Sequence, residues 1–187
     1  GGFVELDGGT AEDGTPRSGA TRVVAGPSAL DLHVLGCVTT EAAKSMSSTE
    51  GMRLTEAKSP YYAAWVEDAE VSHRAIRAAV LSGDFARLGE LAERSALAMH
   101  ACAMAAGIVY VNAATLAALE EVRALRAGGA LAYATIDAGP HLKCLVRGVD
   151  VAMARERLAR VPGVLRIIAT APGEGARIVE ASTSGDG

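Results

Sequence analysis

Apolar residues follow two kinds of spacing along the chain, and each spacing predicts a different kind of element. Over residues 3–6, 21–25 and 30–39 they alternate with polar residues or run together, which is typical of strands. Through the middle of the chain they return every three or four positions, as on the buried face of an amphipathic helix. The pattern therefore predicts a helical middle part that follows a few N-terminal strands.

Capping residues divide the helical part into separate helices. Ser59 followed by Pro60 is typical of a helix start, because serine caps a helix and proline fits its first turn. The other boundaries are predicted at Gly83, Asp84, Asn112, Gly128 and Gly129, all common capping residues.

The last third of the chain returns to short apolar runs, placed around one short helix that Asp150 can cap. The order β-β-α-β-β with short connections favours an antiparallel sheet. The predicted fold is therefore α+β: an antiparallel sheet with a cluster of about four helices on one face, and a tail at residues 182–187. The four strands are predicted at residues 130–136, 142–147, 164–170 and 176–180.

Composition and charge exclude several classes of protein. The net charge is −4 and the basic residues are scattered, so the basic stripe of a nucleic-acid-binding protein is missing. The apolar runs fall short of the roughly 18 residues of a membrane-spanning helix. The three cysteines are far apart and lack metal-ligand spacing, so we expect reduced, buried thiols and no metal site in this chain. A small anionic ligand is compatible with the charge, because a few local donors suffice to bind it.

Two short motifs carry candidate chemistry, and the first is the run SSTEGM from Ser47 to Met52. In one interpretation it is a capping box, with Ser47 as the N-cap and Glu50 reaching back three residues later. In the other, the backbone N–H groups of a helix start and the hydroxyls of Ser47, Ser48 and Thr49 bind a phosphate or diphosphate. The residues alone leave both interpretations open.

The second motif is DAGPH, from Asp137 to His141, between two apolar strands. Glycine and proline suit an ordinary β-turn, in which aspartate is a common residue. However, Asp137 directly follows an apolar strand, where we expect its carboxylate to be partly buried, and burial is costly without a partner or a chemical role. Gly139 permits close approach of the backbone to a ligand. The residues alone therefore leave two interpretations open: an ordinary turn, or a site in which Asp137 has a chemical role and Gly139 contacts a ligand.

Together the two motifs resemble those of the diphosphomevalonate decarboxylase family. The segment SSTEGMRLTEAKSPYYAAW, which ends at Trp65, is similar to the family's SS-x-x-GM pattern and the aromatic-rich helix start that follows it. The segment ATIDAGPHLKCLV resembles the family's strand and DAGPN turn ahead of a lysine. The N-terminal GGFVEL resembles the piece that follows the family's GSASR-type loop. The resemblance runs from Gly1 to about residue 179.

The resemblance implies the fold of the galactokinase–homoserine kinase–mevalonate kinase superfamily and a reaction in two stages. In such enzymes ATP, with Mg²⁺, phosphorylates the tertiary 3-hydroxyl of mevalonate 5-diphosphate, and phosphate and carbon dioxide then leave to give isopentenyl diphosphate. The family's catalytic aspartate falls on Asp137, and its diphosphate-contacting hydroxyls fall on Ser48 and Thr49. The resemblance also suggests a homodimer, while the reduced cysteines predict a cytoplasmic location.

The same resemblance divides the chain and identifies two departures. It implies remnant strands of an N-terminal, ribosomal S5-like domain over residues 1–40 and a C-terminal catalytic domain over residues 41–181. The family's turn usually ends in asparagine where this chain has His141. The family's carboxylate-binding arginine and its ATP loop would both lie upstream of Gly1. We therefore expect part of a longer enzyme, inactive by itself.

Two other functions are compatible with the residues. A related enzyme could phosphorylate or decarboxylate mevalonate or its monophosphate, with Thr49 and the neighbouring helix deciding which phosphate state fits. A non-catalytic fragment or regulatory paralogue would instead only bind or dimerise. We expect other polar residues to be structural, with His73 and His100 as hydrogen-bonded packing histidines and Lys143 as an exposed strand residue.

Overall fold

A computed structural model of the chain describes residues 1–7, 20–26, 29–43 and 46–176. The strands are β1 (Phe3–Asp7), β2 (Ala20–Ala25), β3 (His33–Val38), β4 (Ala132–Ile136), β5 (Leu142–Val146) and β6 (Arg166–Thr170). The helices are α1 (Ser48–Lys58), α2 (Tyr62–Ser82), α3 (Phe85–Ala105), α4 (Ala113–Ala127) and α5 (Val151–Ala159), the last preceded by a 3-10 turn, Gly148–Asp150. None of the helices in this part combines the length and apolar composition that crossing a membrane requires.

Four strands form one antiparallel sheet in the order β4-β5-β3-β6, and β1 pairs with β2 separately. β3 is hydrogen-bonded to both β5 and β6, so a strand from early in the chain lies inside the sheet of the last third. The predicted α+β class and antiparallel sheet are confirmed. The domain boundary at residue 40 stays a prediction. The predicted tail, and all but the first residue of the strand predicted at 176–180, lie outside the described residues.

Helices cover both faces of the four-stranded sheet, whereas the sequence predicts helices on one. On one face α4 and α5 pack around the fully buried Val122, Leu142 and Leu158. On the other, α2 and α3 cover the β4–β5 end, where Tyr133 and Leu145 are buried. A strand buried on both faces has a nearly continuous apolar run. The sequences of β4 and β5 contain such runs, but a short apolar run does not show whether a strand is buried on one face or on both.

The close packing of α3 on β4 depends on a glycine within the helix. A Cβ atom at Gly89 would lie 2.0 Å from the Cδ2 atom of Tyr133, a distance at which no side chain fits. Glycine in a helix costs roughly 0.5–1 kcal/mol relative to alanine. That cost is offset by burial of the Tyr133 ring, which also contacts Phe85 with ring centroids 6.3 Å apart.

The helix boundaries around α3 and α4 agree with the prediction. Gly83 ends α2 in the left-handed conformation, with a φ of 68°. Asp84 caps α3 by accepting a hydrogen bond of 2.9 Å from the amide of Arg87. Asn112 caps α4, where it forms a reciprocal capping box with Thr115. These caps fix where the connection between α3 and α4 begins and ends, and this connection borders the candidate site.

The helix start predicted at Ser59 is wrong. Ser59 is the C-cap of α1, and its amide donates to the carbonyl oxygen of Thr55 at 2.8 Å. Its hydroxyl accepts from the amide of Tyr61 at 3.3 Å, and α2 begins at Tyr62. Serine before proline suits a turn between two helices as well as a helix start. The sequence pattern therefore fits both positions.

Candidate active site

A cleft of about 480 Å³ lies where three connecting segments meet. These segments are the residues before α1, the connection between α3 and α4, and the loop between β4 and β5. Their residues at the cleft are Thr40, Ala42, Ala43, Met46, residues 107–112, Ala138, Gly139 and Pro140. The cleft thus brings the DAGPH motif next to the segment that leads into the SSTEGM motif.

The SSTEGM motif forms the start of α1, as both of its interpretations require. Ser47 is the N-cap, and its Oγ accepts a hydrogen bond of 3.1 Å from the amide of Glu50. Ser48 and Thr49 lie in the first turn with exposed side chains, so capping by Ser47 leaves their hydroxyls open to solvent. Met46, directly before the cap, lines the cleft. Capping by Ser47 is confirmed, while ligand binding by Ser47, Ser48 and Thr49 stays a prediction.

The backbone of the DAGPH loop is fixed by side chains from two other parts of the fold. Thr39, which follows β3, donates from Oγ1 to the carbonyl oxygen of Pro140 at 2.9 Å. The hydroxyl of Thr115 in α4 donates to the same carbonyl oxygen. Asn112 joins the two by donating to the Thr39 Oγ1 at 3.4 Å. Because β3 and α4 hold the loop together, the position of Gly139 at the cleft is well defined.

His141, at the position of the asparagine expected from the resemblance, ties the loop to the sheet with a hydrogen bond. Its Nδ1 atom accepts from the amide of Thr39 at 3.2 Å. A neutral imidazole accepts at one nitrogen and donates at the other. The side-chain oxygen of an asparagine could accept the same bond. The departure from the family pattern therefore changes the side chain but keeps an acceptor at this position.

The Asp137 carboxylate is more exposed than the sequence predicts. Its side chain is 76% exposed and forms an ion pair with the Nζ atom of Lys143, whose side chain is 35% exposed. The expectation of partial burial is wrong, because burial along β4 ends at Ile136 and Asp137 lies beyond the strand. An accessible carboxylate on a fixed loop can accept a hydrogen bond from a ligand hydroxyl.

A second carboxylate, Glu93 of α3, is buried, and the sequence analysis missed it. It accepts hydrogen bonds of 3.0 and 3.1 Å from the guanidinium of Arg126 and one of 2.8 Å from the amide of Ala134. Burial raises the pKa of the Glu93 carboxyl, but these hydrogen bonds and the charges of Arg126 and Arg123 outweigh it and leave the pKa below its usual value. Arg126 also lies over the Tyr133 ring, 4.8 Å from its centroid. The Glu93–Arg126 pair joins α3, α4 and β4. Its two residues are far apart in sequence and become neighbours only when the chain folds.

The described cysteines have the properties of structural residues. Cys37, Cys102 and Cys144 are reduced and buried, as predicted. Burial raises the pKa of the Cys37 and Cys144 thiols to about 12, so little thiolate exists at neutral pH. Within the described part of the chain, no three His, Cys, Asp or Glu side chains are arranged so that they could hold a metal ion.

The fold and the cleft define an α+β domain whose connecting loops form a site of small-molecule size. Residues 34–164 match the mevalonate 5-diphosphate decarboxylase C-terminal domain family. The chain therefore belongs to this family. No match to the chain was found among curated proteins.

Solved structures of mevalonate diphosphate decarboxylases share this fold. Mevalonate pyrophosphate decarboxylase from Streptococcus pyogenes has 31% sequence identity and a TM-score of 0.71, over 79% of this chain and 46% of that one. The enzyme from Enterococcus faecalis has 26% identity and a TM-score of 0.74, over 89% and 50%. A structure described as MDDEF in complex with MVAPP, AMPPCP and magnesium has 26% identity and a TM-score of 0.76, over 91% and 54%. The chain spans about half the length of these relatives.

Proposed function

We propose that this chain forms the C-terminal half of an ATP-dependent mevalonate 5-diphosphate decarboxylase, with Asp137 as its catalytic carboxylate. One observation carries the proposal: within the family-matched residues, the loop after Asp137 and the segment leading into α1 border the same cleft. The match to about half the length of its relatives supports the assignment to one part of an enzyme. We use the term complete enzyme for the polypeptide that joins this chain to an ATP-binding half.

Asp137 acts on the 3-hydroxyl of the substrate. Its carboxylate accepts a hydrogen bond from this tertiary hydroxyl, orients the oxygen toward the γ-phosphate of ATP, and takes the proton as the phosphoryl group transfers. The new phosphate then leaves with the bonding electrons as carbon dioxide is lost, which forms the double bond of isopentenyl diphosphate. Lys143 holds the carboxylate through their ion pair. Because Thr39 and Thr115 fix the loop, the backbone at Asp137 is positioned before substrate binds.

The start of α1 holds the diphosphate. The first-turn N–H groups and the positive end of the helix dipole favour a dianionic group, and the exposed hydroxyls of Ser48 and Thr49 add donors. Ser47 shapes this turn through its cap, and Gly139 lets the opposite loop approach the substrate. Holding the diphosphate several bonds from the 3-hydroxyl restricts that hydroxyl to a productive orientation.

The proposal includes ATP and Mg²⁺ because one of the similar structures is described with AMPPCP and magnesium. A bound magnesium ion would neutralise charge on the transferring phosphate. The described residues form no cluster of His, Cys, Asp or Glu side chains that fits such an ion. A homodimer and a cytoplasmic location are part of the same proposal.

The test is carbon dioxide release from the complete enzyme and from residues 1–187 alone, each with ATP and mevalonate 5-diphosphate. We expect release from the complete enzyme and none from residues 1–187. Robust turnover by residues 1–187 would contradict our assignment of the ATP-binding part. Mevalonate and its 5-phosphate serve as matched substrates, and release from either at an equal rate would favour the related enzymes. Binding without any turnover by the complete enzyme would favour a non-catalytic protein.

A further inference from the structure

Three buried polar atoms without hydrogen-bond partners lie behind the cleft. They are both ring nitrogens of His100, in α3, and the hydroxyl of Tyr110, in the connection to α4, and no described residue offers any of them a partner of normal geometry. His100 is only 4% exposed. The sequence predicts a packing histidine with its hydrogen bonds made, and the structure shows the packing without the bonds. An unpaired buried polar group costs about 1–3 kcal/mol, so its presence calls for an explanation.

The two rings form a pair that contacts the first turn of α1. The His100 and Tyr110 ring centroids are 5.9 Å apart, with the ring planes at 77°. A Cβ atom at Gly51 would lie 1.8 Å from the Tyr110 hydroxyl oxygen, so only glycine allows the helix to approach this closely. Tyr110 also lines the cleft. One end of the ring pair therefore supports the turn that carries Ser48 and Thr49.

The other end of the pair reaches the loop that carries Asp137. Burial lowers the pKa of the His100 imidazole, and the backbone carbonyls of Ile136 and Asp137, with the Asp137 charge, partly oppose this effect. α3, which carries His100, packs on β4, whose last residue is Ile136. The ring therefore lies beside these carbonyls, although neither forms a hydrogen bond of normal geometry with it. Hydrogen bonds in active sites are often long without substrate and shorten in the complex.

We propose that His100 is a positioning residue whose ring N–H donates to the backbone carbonyl of Ile136 or Asp137 when substrate binds. The His100–Tyr110 pair then sets the separation between the Asp137 carboxylate and the start of α1. This inference rests on the proposed function, because those two parts would hold the 3-hydroxyl and the diphosphate of one substrate. A misplacement of about 1 Å far from the chemistry can lower a rate by roughly 10²-fold.

The first experiment uses His100→Phe in the complete enzyme, because phenylalanine keeps a ring against Tyr110 but has no N–H. We expect kcat to fall about 10- to 100-fold, while KM and the melting temperature change little. His100→Asn and His100→Gln restore a donor and should recover part of the lost rate. The matched control is His73→Phe, at a half-exposed α2 histidine near Glu5, which should change nothing.

Several outcomes would overturn the proposal. A normal kcat in folded His100→Phe would do so, as would a lowered melting temperature with normal kcat, which is the result of a purely structural role. A loss of rate that neither His100→Asn nor His100→Gln reduces would also contradict it. If His100→Phe does not fold, His100→Met replaces it as the variant without a donor, because methionine adapts to irregular spaces.

A second measurement separates this inference from the proposed function. In the complete enzyme with mevalonate 5-diphosphate bound, NMR hydrogen exchange at the Gly139 and His141 amides should be faster in His100→Phe than in His100→Asn. If the complete enzyme releases no carbon dioxide but the loop responds in this way, the proposed function fails and the positioning role stands. If the enzyme is active while neither kcat nor loop exchange responds to His100→Phe, the positioning role fails and the proposed function stands.

Discussion

The two carboxylates of Glu93 and Asp137 have opposite surroundings. The Glu93 side chain is 10% exposed and accepts hydrogen bonds from Arg126 and Ala134, whereas the Asp137 side chain is 76% exposed and pairs with Lys143. Burial and a shifted pKa often mark catalytic groups, but structural ion pairs also produce them. In this fold the buried, perturbed carboxylate joins helices to the sheet. The accessible one lies beside the cleft, where a substrate hydroxyl can meet it.

The largest effect is expected from Asp137→Asn in the complete enzyme, which tests the catalytic role of the accessible carboxylate. Asparagine fits the same turn and can still accept a hydrogen bond, but it cannot take a proton or supply negative charge. Loss of a general base lowers rates by about 10²–10⁴-fold, so we expect a fall in kcat of that size with KM nearly unchanged. The measurement is single-turnover phosphoryl transfer at saturating substrate.

Thermal melting of Asp137→Asn is the control for folding. The side chain is exposed, so we expect a melting temperature close to that of the wild type. A near-normal rate in the folded variant would mean that Asp137 is a turn residue and that the catalytic assignment is mistaken.

Glu93→Gln tests the other side of the comparison. Removing one partner of a buried ion pair leaves Arg126 without its counter-charge, and such changes cost about 3–5 kcal/mol. Because Arg126 is partly exposed, we expect a loss near the lower limit, about 3 kcal/mol in the free energy of unfolding. Chemical denaturation of residues 1–187 measures it. Glu90→Gln, at an exposed carboxylate of the same helix, is the matched control and should have little effect.

The stability difference between Glu93→Gln and the wild type should also depend on pH. The pKa of the Glu93 carboxyl is lower in the folded chain than its usual value of 4.5. Its contribution is therefore fully present above pH 4.5 and is lost as the pH falls through the folded-state pKa. Unfolding of both proteins between neutral pH and pH 3 should show the difference shrinking on the acid side. A difference that is constant with pH would mean that the Glu93 charge is not what stabilises the fold.

Local sequence signals predict most of the helices and strands. The contacts between residues that are distant in sequence can be seen only in the folded structure. Gly83, Asp84 and Asn112 mark helix ends because capping depends on residues only a few positions apart. The approach of Glu93 to Arg126, and of His100 to the β4–β5 loop, joins residues distant in sequence, and no local spacing encodes it.

The features of the candidate site also divide into those that the sequence predicts and those that only the structure shows. The two motifs and the cap at Ser47 could be recognised in the sequence, because a capping bond spans three residues. The exposure of Asp137 could not be, because it depends on where β4 stops and on how Thr39 holds the following loop. A strand residue is buried by side chains from other elements that pack against it. The sequence alone does not show which residue of the strand is the last one to be covered in this way.

A smaller effect is expected at the start of α1, where the Ser48→Ala/Thr49→Val double variant tests the diphosphate site. Losing one hydrogen bond to a charged oxygen costs about 1.5–3 kcal/mol, or a factor of about 10 to 100. Because the variant removes two hydroxyls, KM should rise at least about 10-fold, with Ser47 still capping the helix. Asp84→Ala is the matched control, because it removes the cap of α3 and should lower stability by about 1 kcal/mol without affecting KM. If the double variant instead lowers the melting temperature at normal KM, the motif is only a helix cap.

The smallest effect is expected from a third titratable group, the buried imidazole of His100. Glu93 remains charged because Arg126 and Ala134 hydrogen-bond to it, whereas His100 lacks such partners and burial lowers the pKa of its imidazole. A histidine with a folded-state pKa below its usual 6.5 binds fewer protons than the unfolded chain. The folded state should therefore lose stability as the pH falls below 6.5, until the folded-state pKa is reached. The measurement is the free energy of unfolding by denaturant, determined between pH 7.5 and pH 5 for residues 1–187 and for the His100→Phe variant. The decrease in this free energy that comes from His100 should be present in the wild type and absent from the variant. Equal slopes in the two proteins would contradict a lowered pKa for the His100 imidazole.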